Sequence, residues 1–301
     1  MGDVTPIKWA KRKLRTVHRK ARRAFVRAFL SFDRKQLVAA LRELGVKQGD
    51  SLLLHSAFEP HHGFKGSSED AIDAFLEAIG PTGNLLMVSL PYHSSTLDYL
   101  AEGKVFDVRR TPSAMGLVSE YFRRRKNVCR SLHPTHPVLA CGPQAEWLTT
   151  GHEDCLYPCG PGTPFDKLRT LNGSVVFLNL PFAFFTFFHY LEHRVAPGLD
   201  FPVYHDQIFE VPVVDCTGLR RSVQTHVFSR EAIRRRRFDV FEEWLWRAGL
   251  IRKFRVGASN LLMTHLTAVV EVVDSRARSG EFFYRLRTES ADGVRLASSA
   301  R

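Results

Sequence analysis

Apolar residues recur at helical spacing from Leu14 to Phe32, through Val17, Ala21, Phe25 and Phe29, with Lys and Arg filling the other faces. That pattern predicts a basic amphipathic helix. Asp33 then stands at an N-cap position before a second helical pattern of Leu37, Ala40, Leu41 and Leu44, which Gly45 ends. From there short apolar runs and helical stretches alternate. Ser51 to His55 reads as a buried strand. Ser68 with Asp70 opens a helix through Ala78, stopped by Gly80-Pro81. Leu85 to Leu90, Val138 to Cys141 and Ser174 to Leu180 read as further strands, and Leu117 to Arg124 as a helix. The last third adds a strand from Phe209 to Val214, a turn at Gly218, a helix through Phe241 to Trp246 and a final helix through Leu261 to Val273. Alternation of this kind predicts an α/β fold, one central sheet flanked by helices.

Composition adds one point, the placement of charge. Of a net charge of +12, residues 1–35 carry twelve Lys and Arg against two acids, Asp3 and Asp33. The other 266 residues carry 31 basic and 29 acidic side chains, so the body is nearly neutral. Three segments follow: a basic helix over 1–34, a folded body over 35–286, and a polar, disordered tail over 287–301. The basic start has no uninterrupted apolar core of a secretory signal, and no run is long enough for a membrane span. A cytoplasmic protein is expected. Residues 7–32 suit peripheral adsorption to anionic headgroups or packing on the body, and their apolar face argues against nucleic acid. Five cysteines form an odd, sparse set. Cys155 and Cys159 with His152 lack a second ligand pair, so no metal is expected.

The chemistry gathers at Thr186-Phe187-Phe188-His189-Tyr190-Leu191-Glu192, directly after the strand that ends near Leu180. On one helix Thr186, His189 and Glu192 would share a face. A carboxylate beside an imidazole orients the ring and stabilises the imidazolium formed when it accepts a proton. The same spacing also describes an ordinary surface pair.

Several further segments, in order, resemble the aminoglycoside 3-N-acetyltransferases, whose antibiotic acetyltransferase sandwich is distinct from the GNAT fold. They are Leu53-Leu54-His55-Ser56, Gly63-Phe64-Lys65-Gly66, Thr111-Pro112-Ser113-Ala114-Met115-Gly116 with Glu120, Arg130-Ser131-Leu132-His133-Pro134-Thr135-His136, Gly160-Pro161-Gly162-Thr163-Pro164, the Thr186 to Glu192 segment, and Arg255-Val256-Gly257-Ala258. The resemblance spans roughly residues 36–275. It implies acetyl-CoA as cosubstrate and His189, Glu192 and Thr186 as catalytic residues. It further implies a cofactor site at His55, Ser56, Ala57, Phe58, Phe64, Lys65, Gly66, Ser113, Met115, Gly116, Arg130 and Ser131, with Lys65 or Arg130 at the phosphates. His93, His133 and His136 would shape the acceptor pocket.

Four departures fall where the cofactor or the acceptor would lie. Ala57 and Pro137 stand where the family usually has Ser, Phe182-Ala183-Phe184-Phe185 is unusually aromatic, and Val88 to His93 replaces a polar run. The expected activity is N-acetylation of an amino sugar or aminoglycoside-like amine, with His189 as general base. O-acetylation of a glycan or metabolite hydroxyl is the near variant. A non-catalytic membrane- or partner-binding protein using its basic helix is the distant one.

Overall fold

In chain order the strands are β1 Ser51–Ser56, β2 Asn84–Val88, β3 Phe106–Asp107, β4 Cys129–Arg130 and β5 Val138–Cys141. They continue as β6 Ser174–Leu178, β7 Phe209–Val214, β8 Arg220–Thr225, β9 Arg252–Val256 and β10 Ser259–His265. Seven of them form one sheet in the order β4-β5-β2-β1-β6-β10-β9. This computed structural model describes residues 20–59 and 62–287. The centre of the sheet, β2-β1-β6, is parallel, and both flanks are antiparallel. Parallel neighbours need crossovers. The helix Ser68–Ile79 supplies the one between β1 and β2, started by a capping box between Ser67 and Asp70.

Central strands buried on both faces read as unbroken apolar runs, which is what β1, β2 and β6 are. Their period-2 alternation sorts residues into two cores. Leu52, Leu54, Leu85, Met87, Val176 and Leu178 pack with the helices Arg34–Leu44 and Ser68–Ile79. Leu53, Leu86, Val88, Val175 and Phe177 pack on the other side with Phe188–Val195, Phe238–Arg247 and Leu266–Arg278. His55 follows Leu53 by two residues, so it points to this second side, where it meets Phe177 at 5.2 Å between ring centroids.

The central sheet flanked by helices is the expected architecture, and a second, smaller sheet, β3-β7-β8, stands beside it. Four sequence expectations are corrected. The expected final helix from Leu261 is a strand to His265 followed by the helix Leu266–Arg278; Ser259, Leu261 and Met263 are buried in alternation with the more open Asn260 and Leu262 before the helical period begins. Residues 20–29 are helical as expected, but Phe32 leaves the stripe. It pairs with Phe64 and is buried. The aromatic run after β6, read as site lining, goes largely into the second core: Phe182 and Phe185 stack at 4.9 Å and are buried, while Phe184 stays exposed. Arg287 is held by Glu231 and by the Asp200 carboxylate instead of trailing into solvent. The expected tail beyond it and the basic stretch before Lys20 lie outside the described residues.

Candidate active site

Strand β6 ends at Leu178, a short turn follows, and the helix Phe188–Val195 carries His189 and Glu192 one turn apart. Glu192 is fully buried, and His189 keeps about a quarter of its side chain exposed. The His189 Nδ1–H donates to Glu192 Oε2 at 2.7 Å. Arg236 closes on the same carboxylate with two donors, Nε to Oε1 at 2.5 Å and Nη2 to Oε2 at 2.9 Å. The Tyr284 hydroxyl completes the shell at Oε1. Burial alone would push the Glu192 carboxyl up, but the Arg236 charge and the His189 contact outweigh it and hold it below the ordinary range. The result is an ionised carboxylate with every acceptor direction used. With Nδ1 tied to Glu192, Nε2 is the ring nitrogen left to take a proton. No described side chain hydrogen-bonds to it.

Thr186 is not on that helical face. The helix starts at Phe188, and Thr186 sits in the preceding turn with its Oγ1 3.2 Å from His55 Nε2. His55 is buried at the carboxyl end of β1, and burial pushes its imidazole down to about 3. It is uncharged near neutrality and acts there as a hydrogen-bonding group only.

His133 and His136 come to the same place from the loop between β4 and β5. His136 meets His189 edge to face at 5.7 Å, and its Nδ1 lies 2.9 Å from the Thr135 hydroxyl. His133 stacks on His152 at 4.4 Å. Burial pushes both His133 and His136 well below their ordinary values. His152 has both ring nitrogens occupied, by Ser131 Oγ and the Pro158 carbonyl, each at 2.9 Å. Among the described residues no group of His, Cys, Asp or Glu is arranged to hold a metal. His93 is exposed on the loop after β2 and shares none of these contacts.

The expected cofactor residues divide. Ser56, Ala57 and Phe58 leave the carboxyl end of β1, with Ala57 N–H donating to Leu178 O. Ser113 is buried, and its hydroxyl lies 2.9 Å from that of Ser119, so it secures the turn at Met115 and Gly116. Gly116 has φ +103 and open space at its Cα, leaving bare backbone at the surface. Lys65 is exposed. Arg130 is turned inward. Its guanidinium donates to Ser89 O at 2.8 Å and Thr111 O at 2.6 Å and lies over the Phe106 ring, and desolvation lowers it to about 9. Arg130 also borders a cleft of about 820 Å³ with Arg109, Glu146 and Asp215 that none of Thr186, His189 or Glu192 lines. Ser131 is buried too, its Oγ accepting from Val138 N–H. Gly63 answers a packing need, since a Cβ there would sit 2.5 Å from the Leu30 carbonyl oxygen.

The family model described as aminoglycoside 3-N-acetyltransferase matches residues 53–277, three quarters of the chain. The chain belongs to that family. This acetyltransferase is an acetyl-CoA-dependent acyltransferase. It is 29% identical over 197 residues to an aminoglycoside N(3)-acetyltransferase III of Salmonella sp., spanning 62% of this chain and 67% of the relative. The crystal structure of aminoglycoside acetyltransferase AAC(3)-Xa superposes with a TM-score of 0.69 at 26% identity, covering 81% of this chain and 91% of the other. A mutant of AAC(3)-IVa in complex with a gentamicin superposes with a TM-score of 0.66 at 25% identity, covering 82% and 89%.

Arg236 and Tyr284 of this acetyltransferase were not among the residues that the sequence singled out. They lie 44 and 92 residues beyond Glu192. Arg236 sits inside Arg234-Arg235-Arg236-Arg237, which reads as a solvated charge run. The signal that was available was the anomaly of Glu192 itself, an acid between Leu191 and Val195 on the buried side of a helix, which requires a cation from elsewhere. Phe228, 4.9 Å from the His189 ring and 5.3 Å beneath the Arg236 guanidinium, was missed for the same reason.

Proposed function

We propose that this acetyltransferase moves the acetyl group of acetyl-CoA to a primary amine of an amino sugar or aminoglycoside-like acceptor, with His189 as general base. The observation that carries the reading is the four-donor shell around a buried, ionised Glu192. It fixes the His189 ring with Nδ1–H toward the carboxylate and leaves Nε2 to take the amine proton. A protonated amine has no lone pair to attack a thioester, so a positioned acceptor for its proton is the chemical requirement. As the proton arrives, positive charge on the ring meets the negative charge on Glu192. Arg236 and Tyr284 act through Glu192 as positioning residues.

Acetyl-CoA supplies the activated acyl group as a thioester. The residues present fit it in part. Ser56 to Phe58 and Met115-Gly116 expose backbone near the carboxyl ends of β1 and β2, and the buried Ser89 hydroxyl has no partner among the described residues. Lys65 is the expected cation free to meet phosphate, whereas Arg130 spends its donors on carbonyls. The bound gentamicin of the AAC(3)-IVa structure supports a polycationic amino sugar as the acceptor class. A cytoplasmic location accords with use of acetyl-CoA.

The test is release of free CoA from acetyl-CoA in the presence of a panel of amino sugars, aminoglycosides and their hydroxyl-only analogues. Turnover with amines and not with hydroxyl analogues is expected. Turnover with hydroxyl analogues alone refutes N-acetylation, and no stimulation by any acceptor refutes the assignment of this class. Titration calorimetry with acetyl-CoA should show binding independently of acceptor.

A further inference from the structure

Residues 20–29 form a helix that is fastened to the body at one end and bare along one side. Val26 is buried against Gly63. The Leu30 carbonyl accepts from Ala258 N–H at 3.0 Å, and Phe32 exchanges backbone hydrogen bonds with Gly63 and Lys65. At 100° per residue, Ala21, Ala24, Phe25, Ala28 and Phe29 fall within one arc, and all five are exposed. Phe25 is 55% and Phe29 74% exposed, with ring centroids 5.1 Å apart. Lys20, Arg22, Arg23 and Arg27 fill the flanks and the remaining surface of the helix, and no acid occurs between Val4 and Phe32.

We propose that this helix lies flat on an anionic lipid surface, the two phenylalanines seated among the acyl chains and the arginines at the headgroups. Phe29 is the most exposed large hydrophobic side chain among the described residues, and an aromatic pair this open marks a surface that is covered in use. The charge settles what covers it. A second copy would bring four cations against four cations across the same face, whereas anionic headgroups neutralise them. The apolar arc flanked by cations is the form that interfacial helices take. Pinning at residues 30–32 keeps the arc turned away from the body, so the body stays in water while the helix adsorbs. This inference stands apart from the acetyl-transfer reading and does not need it.

The test is co-sedimentation of the full chain with vesicles of phosphatidylcholine alone or with a third phosphatidylglycerol. Binding to the mixed vesicles at low salt is expected, lost in 1 M salt, where screening shortens the reach of charge to roughly 3 Å. Each of Arg22, Arg23 and Arg27 replaced by Gln should weaken partitioning about fivefold. F25S with F29S should weaken it about tenfold or more, with CoA release unchanged. Equal binding to neutral and anionic vesicles, or no binding to either, overturns the proposal. A Phe25- and Phe29-dependent dimer in light scattering overturns it in favour of a second copy. Nucleic-acid binding that survives F25S/F29S, with vesicle binding absent, overturns it in favour of a phosphate backbone.

Discussion

Replacing Arg236 by Met removes the cation from a carboxylate that is fully buried. The methylene stem is roughly kept, so the main loss is charge and two hydrogen bonds, with a smaller loss of packing over Phe228. Breaking a buried pair by deleting one partner costs about 3–5 kcal/mol, because the survivor stays desolvated. The size should depend on pH in a definite direction. In the parent protein the folded-state Glu192 sits below its ordinary value, so its contribution is present above the unfolded pKa of about 4.3 and is lost as pH falls through the lower folded value. In Arg236→Met burial acts with much less opposition and raises the folded value. Glu192 then costs stability as pH rises above about 4.3 and recovers it by taking a proton in acid. Urea unfolding at pH 7 should therefore show the full deficit in the variant, and the two proteins should converge toward pH 4. Arg236→Lys keeps the charge but not the paired donors and should fall between them. A deficit under about 1 kcal/mol at pH 7 would refute the clamp. A deficit of constant size from pH 7 to pH 4 would show that only packing was lost.

His189→Ala should leave the unfolding midpoint and acetyl-CoA binding near those of the parent while lowering turnover by about a hundredfold or more; equal turnover would remove His189 as the base. Glu192→Gln should lose less turnover than His189→Ala but lower the urea midpoint, since it leaves the half-buried Arg236 without its counter-charge. Gly257→Ala places a Cβ 2.3 Å from the Leu30 carbonyl oxygen at φ +52 and should cost about 1–3 kcal/mol in unfolding measurements, with an unchanged midpoint counting against that packing.

What the sequence disclosed follows the range of the interactions involved. The helix Arg34–Leu44 could be read almost residue by residue, because an Asp33 cap, an apolar face and a closing Gly45 all lie close together in the chain. The same holds for β1, β6 and the helix Ser68–Ile79. The strands β3, β8 and β9 carry few apolar residues, so no local period announces them; β3 is in addition only two residues long and is held by β7 far along the chain, whereas β8 and β9 pair with their sequence neighbours β7 and β10. The site shows the same division. His189 and Glu192 are three apart and were visible; the pairing of Thr186 with His55 crosses 131 residues and was not. The inward turn of Arg130 depends on carbonyls of Ser89 and Thr111 that no reading of its own neighbourhood supplies.

Arg236 and Tyr284, which also pair with each other through their backbones, reach Glu192 from the last quarter of the chain. On the ribosome, the helix bearing His189 and Glu192 emerges well before either of them. Until both have cleared the exit, that carboxylate has no cation to bury against, and the helix cannot settle into its place on β6 with the acid charged. Closing loops of such length is slow relative to local helix formation. If His189 is the base, as proposed, the nascent protein stays inert until Arg236 and Tyr284 have emerged to hold Glu192. A chain released early would expose the second core with its glutamate unpaired, which is the kind of surface that proteases and chaperones select.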